Sequence, residues 1–295
     1  GLHLKPGGIY FDGTVGGGGH SYEILKRTSP DGRLIATDLD DEAIAAATER
    51  LKPFDGRFSV YKSNYKDFEA VFERAGIDKI DGALLDFGIS SHQIDDEERG
   101  FSYKTADAPL DMRMDTSAYL TAETIVNTYP EERLVKILKE YGEETFARQI
   151  VRNIVKYREK QPLKRSGELS EIIKSSIPAK FRFGAPCERK TFQALRIEVN
   201  GELDGLSDLV RKLTRRLKAG GRIAILTFHS LEDRIVKEVF KELENPCTCP
   251  GNFPVCVCGK KPEIKIVTKK PITASRDELE SNSRSKCANL RVAEP

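Results

Sequence analysis

The segment Asp12-Gly13-Thr14-Val15-Gly16-Gly17-Gly18-Gly19-His20-Ser21 brings an acid, a run of glycines and a histidine together. Glycines let the backbone bend sharply and approach a ligand with no Cβ in the way. A helix beginning beyond them offers unpaired N–H groups to a negative group such as a carboxylate. Asp38 lies 22 residues beyond Gly16. At that spacing a carboxylate can accept hydrogen bonds from both ribose hydroxyls of an adenosyl group. A third acid, Asp86, ends the apolar run Ala83-Leu84-Leu85. Read as G-x-G-x-x-G from Gly16, the loop has Ser21 where the last glycine belongs, which disfavours a nicotinamide or flavin dinucleotide. No Gly-Lys-Ser/Thr follows, so a P-loop is excluded. S-adenosylmethionine has the adenosine without a pyrophosphate and suits this loop.

These residues need strand ends to hold them. Gly8–Asp12, Arg33–Asp38, Phe58–Tyr61 and Ala83–Asp86 read as short strands. Helical stretches at Ser21–Arg27, Asp41–Leu51 and Phe68–Ala75 separate them. Strands alternating with helices predict βαβ units and a parallel sheet. Between about Gly100 and Asn200 only helical patterns occur, broken by Pro130, Pro162, Pro178 and Pro186. The sheet pattern then resumes. Leu206–Leu217 reads as an amphipathic helix, Ala219-Gly220-Gly221 as its stop, and Arg222–Phe228 as a buried strand. Glu263–Val267 and Ala288–Val292 are two final β-like runs. The expected fold is α/β, a doubly wound, mostly parallel, Rossmann-like sheet carrying an inserted helical domain. Residues 1–103 and 197–295 are assigned to the cofactor-binding domain and 104–196 to the insert.

The formal charge is only +2, but its distribution is uneven. From Thr145 to Arg196, thirteen Lys or Arg face four Glu and no Asp, a local net of +9 that leaves −7 on the rest. Within that stretch Arg148, Arg152, Lys156 and Lys160 recur every four residues as a basic ridge. Such asymmetry marks a nucleic-acid footprint or a solvated helical surface. No apolar run approaches the roughly 18 residues that a membrane span needs. The start has neither an initiator Met nor a signal-peptide pattern, which reads as a cytoplasmic protein with trimmed first residues.

Longer motifs carry a resemblance. Tyr10–Leu25 with GGGGHS, Asp81–Ser102 with LLDFGISSHQIDDEERGFS and Pro109–Asp115 with PLDMRMD are similar to one family. Lys190–Asn200 with KTFQALRIEVN, Gly220–Lys237 with GGRIAILTFHSLEDRIVK and the tail from Ser283 extend the match. The chain resembles the bacterial enzymes that methylate N4 of a cytidine in the decoding region of 16S ribosomal RNA. The resemblance implies a class I S-adenosylmethionine-dependent methyltransferase whose helical insert helps hold RNA. Its partner would be 16S rRNA within the small ribosomal subunit. It further implies that Gly18, Gly19 and His20 contact the methionine end of the cofactor and Asp38 its ribose. Tyr65 would lie beside the adenine, with Asp86 and Gln93 completing the pocket. The family's His-Pro-Ala-like run is replaced here by Ala185-Pro186-Cys187-Glu188-Arg189.

An exocyclic cytosine amine is a poor nucleophile because its lone pair is delocalised into the ring. An acceptor at its N–H localises that pair. Many amino methyltransferases use Asp/Asn-Pro-Pro-aromatic for this. Here Asp86-Phe87-Gly88-Ile89 keeps the acid and the aromatic, making Asp86 the catalytic candidate for amine, cofactor or both. Asp111 and Arg113 in DMRMD, His229 and Ser230 at a strand end, and Arg189, Lys190 and Arg196 are substrate-binding candidates. Phe87 or Phe101 can receive the face of a flipped-out base. Each also has a purely structural reading as a salt-bridged loop, a helix cap or a core aromatic. Cys247, Cys249, Cys256 and Cys258 form two C-x-C pairs, open to zinc, free thiols or disulfides. A DNA amino methyltransferase and a non-catalytic, cofactor-binding ribosome-assembly factor remain the alternative functions, and the oligomeric state is undetermined.

Overall fold

A computed structural model describes every residue except Phe183, Ala185 and 251–256. Packing divides the chain into two compact units, Gly1–Gly88 with Gly205–Pro295, and Ile89–Asp204. The sequence placed the boundaries later on one side and earlier on the other. Ile89 and Phe101 account for the first difference, since both pack into the apolar core of the helical unit. The helix Arg189–Asn200 accounts for the second, burying Phe192, Ala194 and Leu195 in that same core.

The first unit is an eight-stranded sheet. Its strands are β1 (Ile9–Asp12), β2 (Arg33–Asp38), β3 (Phe58–Lys62), β4 (Ile80–Asp86), β5 (Leu217–Thr227), β6 (Lys265–Ile266), β7 (Ile272–Thr273) and β8 (Asn289–Glu294). The order is β3-β2-β1-β4-β5-β8-β6, with β7 also on β8. The first five strands pair in parallel, and β8 runs antiparallel to β5. Helices α1 (Gly19–Arg27), α2 (Asp41–Leu51) and α3 (Phe68–Ala75) connect the early strands. Successive strand residues point to opposite faces. Tyr10 accordingly packs with Ile24, Leu25, Ala47 and Leu51 of α1 and α2. Phe11 meets Phe68 and Phe72 of α3, at ring-centroid distances of 6.2 and 5.2 Å. Helices therefore cover both faces, as expected for a doubly wound sheet, and each buried Phe contributes about 1.5–3 kcal/mol.

The expected glycine stop after the next helix is not one. β5 already begins at Leu217, which pairs with Ile80, and the register shifts before Arg222 pairs with Gly82. Gly220 has φ +77°, and a Cβ on Gly221 would stand 2.8 Å from the Asp81 carbonyl oxygen. The glycines absorb an irregularity inside the strand rather than ending the helix. β7 was not expected. It is two residues long, too short for periodicity to register.

The second unit contains α4 (Ser91–Asp95), α5 (Ala122–Thr128), α6 (Glu131–Glu140), α7 (Ala147–Arg158), α8 (Ser166–Ser176) and α9 (Arg189–Asn200). Among its described residues the only β feature is an isolated bridge from Pro109 to Arg165. α7 buries Ala147, Ile150, Val151 and Ile154. Its opposite face and the residues just beyond leave Arg148, Arg152, Lys156 and Lys160 exposed. The first unit also holds α10 (Leu206–Arg215), α11 (Ser230–Glu244) and α12 (Arg276–Ser281). No helix among the described residues is long and apolar enough to cross a membrane.

Candidate active site

The carboxyl ends of β1, β2 and β4 are tied together by the loop after β1. Gly13 donates its N–H to the Leu84 carbonyl at 2.9 Å, and Val15 donates to that of Thr37 at 3.0 Å. The Thr37 hydroxyl returns a bond to the Gly13 carbonyl at 2.9 Å. Gly13 must be glycine, because a Cβ there would lie 2.4 Å from Leu85 Cδ2 and 3.0 Å from Tyr65 Cβ. The loop enters α1 through Gly18 at φ +75°, and no side chain caps that helix. Substituting Gly18 would also press a Cβ within 3.1 Å of the Ala47 backbone.

Asp12 ends β1, wholly buried. Its carboxylate accepts the Ser21 hydroxyl at 2.6 Å and the Thr14 amide at 3.2 Å. Burial pushes its pKa up to about 6, against those two bonds. The Thr14 hydroxyl in turn accepts the Asp86 amide at 2.7 Å. The sequence reading assigns none of these three a role in the site. An acid at a strand end directly ahead of a glycine loop is the signal that marks Asp12.

Asp38 ends β2 and clamps the loop. Its Oδ2 accepts the Gly16 amide at 2.9 Å, and its Oδ1 accepts the Leu39 and Asp40 amides at 2.8 and 3.0 Å. Burial raises its pKa against these bonds. A carboxylate offers roughly four lone-pair positions, so about one remains, on Oδ2. At the end of β4 the His20 Nε2 stands 3.4 Å from Asp86 Oδ2. The hydrogen bond to Asp86 raises the His20 pKa, over the opposing effect of burial. The other carboxylate oxygen of Asp86, Oδ1, is buried and has no hydrogen-bond partner. Phe87 follows, its ring 5.5 Å from that of Tyr65. Gly16, Gly18, His20, Asp38, Tyr65 and Asp86 thus gather at one end of the sheet.

His229 and Ser230 follow β5 in the same unit. His229 is the N-cap of α11, its Nδ1 accepting the Glu232 amide at 3.4 Å. The Glu232 carboxylate accepts the Phe228 and His229 amides at 2.9 and 3.4 Å. Ser230 opens that helix and is exposed.

Most of the remaining candidates belong to the helical unit and are engaged locally. Gln93 and Ser90 form a capping box at the start of α4, the Gln93 side-chain oxygen accepting the Ser90 amide at 3.0 Å. Arg113 binds Asp111 bidentately at 2.8 and 2.7 Å. Its Nη1 donates to the Thr116 and Ala118 carbonyls. Met112, between them, is buried at φ +64°. This is the salt-bridged loop among the two readings of DMRMD. Arg196 is held bidentately by Glu202 at 2.8 and 2.7 Å. Lys190 donates to the Glu143 carbonyl at 2.8 Å, and Arg189 is exposed at the start of α9. Phe87 and Phe101 are both buried. Of the clustered cysteines, Cys256 lies outside the described residues.

Comparison with known proteins places this geometry. A family model described as the MraW methylase family matches residues 1–295. The chain belongs to the MraW methylase family. It is similar to the Ribosomal RNA small subunit methyltransferase H 2 of Agathobacter rectalis, 55% identical over 294 residues, 99% of this chain and 94% of that protein. The Ribosomal RNA small subunit methyltransferase H of Lachnospira eligens is 53% identical over 294 residues, again 99% of this chain and 93% of that protein. Its counterpart from Carboxydothermus hydrogenoformans is 51% identical over 293 residues, with 99% and 93% covered. The chain is thus an S-adenosylmethionine-dependent methyltransferase on a class I α/β sheet, as its motifs implied.

Proposed function

We propose that this enzyme transfers a methyl group to the N4 amine of a cytidine in the decoding region of 16S ribosomal RNA, within the small ribosomal subunit. The buried, unpartnered Oδ1 of Asp86 carries the reading. It is an acceptor at the strand end where a sheet of this kind binds its ligands, and a catalytic role is one explanation for an acceptor left unsatisfied there. The names of the full-length relatives supply the class of substrate.

The residues present fit S-adenosylmethionine. Asp38 Oδ2 takes a ribose hydroxyl with its remaining lone pair. The uncapped start of α1 at Gly18 and Gly19 receives the methionine carboxylate, since helix N-termini favour anions. No atom lies within 4 Å of a Cβ built on Gly16 or Gly17, which leaves room for the ligand. Tyr65 borders the adenine. The bound cofactor supplies an electrophilic methyl group on a sulfonium.

Asp86 does the chemistry that this chain contributes. His20 Nε2 holds Oδ2 and so orients the carboxylate. Oδ1 accepts an N–H of the cytosine amine, which localises the nitrogen lone pair toward the methyl group. Transfer would break the methyl group's bond to sulfur, leaving the electron pair on a neutral thioether as the N–C bond forms, and the amine proton would pass to the partly exposed Asp86 carboxylate and on to solvent. A positioned acid or base of this kind accounts for about 10²–10⁴-fold in rate.

The helical unit supplies an RNA surface. Arg148, Arg152, Lys156 and Lys160 have no ion-pair or hydrogen-bond partner for their side chains among the described residues, which leaves them open to phosphates. Nearby, Phe181 is 54% exposed, its ring 5.3 Å from that of Phe146, with the Lys180 ammonium 5.0 Å above it. An exposed ring beside cations is a stacking platform for an unpaired base. The reading is tested by incubating the enzyme with labelled S-adenosylmethionine and either small or large ribosomal subunits lacking the modification. Label in the RNA of small subunits alone is expected. Label in neither, with cofactor binding intact, would favour a non-catalytic assembly factor.

A further inference from the structure

The loop from the end of α11 at Glu244 to the start of β6 at Lys265 contains no helix or strand among its described residues. Its far end is tied down. Glu263 donates its amide to the Leu243 carbonyl at 2.9 Å, and Ile266 donates to Glu244 Oε1 at 2.8 Å. Arg215 grips the Glu263 carboxylate at 2.7 and 3.0 Å, and Ile264 is buried. A connection whose described residues form no helix or strand needs another source of order. The sulfurs of Cys247, Cys249 and Cys258 supply one, lying within 4.8 Å of one another.

We propose that Cys247, Cys249 and Cys258 together bind one zinc ion that closes this loop. Cys247 and Cys258 Sγ are 3.8 Å apart, far from a bonded disulfide. Two thiolates on a tetrahedral zinc at about 2.3 Å stand about 3.8 Å apart, the edge of that tetrahedron. The Val257 amide donates to Cys249 Sγ at 3.4 Å, an interaction that favours the thiolate a metal requires. Lys260 and Lys261, just beyond Cys258, offset the negative charge of three thiolates on a divalent ion. Thiolates select zinc, copper(I) or iron–sulfur clusters. The thiolates of a cluster are spread apart by the irons and sulfides between them, which this tight grouping does not allow. Three protein sulfurs leave one position for a further donor. Because the donors come from two arms of one loop, the ion's role is structural.

The test is elemental analysis of the full-length enzyme purified without chelators, before and after incubation with Zn²⁺ and desalting. About one zinc per chain is expected in at least the second sample. Cys187→Ser with Cys287→Ser should retain that zinc, and Cys247→Ser with Cys258→Ser should lose it. Replacement by Co²⁺ should give an intense thiolate-to-cobalt absorption in the first pair and none in the second. A wild-type enzyme holding less than about a tenth of an equivalent after Zn²⁺ incubation would overturn the proposal. So would stoichiometric iron or copper in place of zinc, or full zinc in the Cys247/Cys258 variant.

Discussion

Strand β4 carries Asp81 near its start and Asp86 at its end, and the two carboxylates have opposite surroundings. Asp81 is 4% exposed with both oxygens engaged, accepting from Lys5 at 2.7 Å and from both the Ile9 amide and Lys218 at 2.9 Å. Burial pushes its pKa up, but these bonds outweigh burial and hold it below the usual carboxylate range. Asp86 has one oxygen beside His20 and the other with no partner. Asp12, at the same end of the sheet as Asp86, is buried with its pKa driven upward. One end of the sheet is therefore finished by its own side chains, and the other is left for a ligand to finish. Perturbed or unsatisfied acids grouped at one place are what a catalytic site needs, and they cost stability.

The contrast can be broken first at Asp86. Asp86→Ala should lower single-turnover methyl transfer by about 10²–10⁴-fold while leaving the melting temperature nearly unchanged. Equal transfer rates would remove Asp86 from the chemistry.

Asp12 should give a pH signature of one sign and Asp81 of the other. The folded pKa of Asp12 is raised from 3.8 to about 6, so the native state binds the extra proton between those values. Its contribution to stability is full below about pH 4 and is lost as pH rises through about 6. At about 1.4 kcal/mol per unit, Asp12→Asn should gain about 3 kcal/mol on the wild type between pH 4 and 7 in denaturant titrations. A pH-independent difference would contradict the buried charge.

Asp81 is lowered, so its contribution is present above its unfolded pKa and lost as pH falls. Asp81→Asn should cost about 1–3 kcal/mol at neutral pH, seen as a lower melting temperature with methyl transfer intact. Lost transfer at unchanged stability would put function at the wrong end of the sheet. The smallest effect concerns RNA. Arg152→Ala with Lys156→Ala should flatten the dependence of log K on log salt by about 0.7–0.9 for each phosphate left without its cation. An unaltered slope would return the ridge to a solvated helical face.

Much of this was legible in the sequence because of period and place. β2, α2 and α3 fall at the residues their patterns predict, and Asp38 and Asp86 could be assigned to strand ends from alternation alone. What could not be read was each polar group's partner. Arg196 reads as a substrate-binding cation until Glu202 folds back on it, and His229 as a substrate contact until it caps α11. Gly220 and Gly221 read as a helix stop because a strand irregularity depends on the neighbouring strand, here at Ile80 and Gly82. The Asp12–Ser21 bond joins two buried groups that the same loop keeps apart in sequence, and only the turn through Gly13 brings them together.

The central claim is that Asp86 Oδ1 is aimed at an exocyclic amine. Nucleoside mass spectrometry of 16S RNA methylated by this enzyme tests it most directly. N4-methylcytidine is the product expected from an acceptor placed to receive an amine N–H. A methyl group on carbon 5 or on a ribose 2′-oxygen would contradict the role given to Asp86.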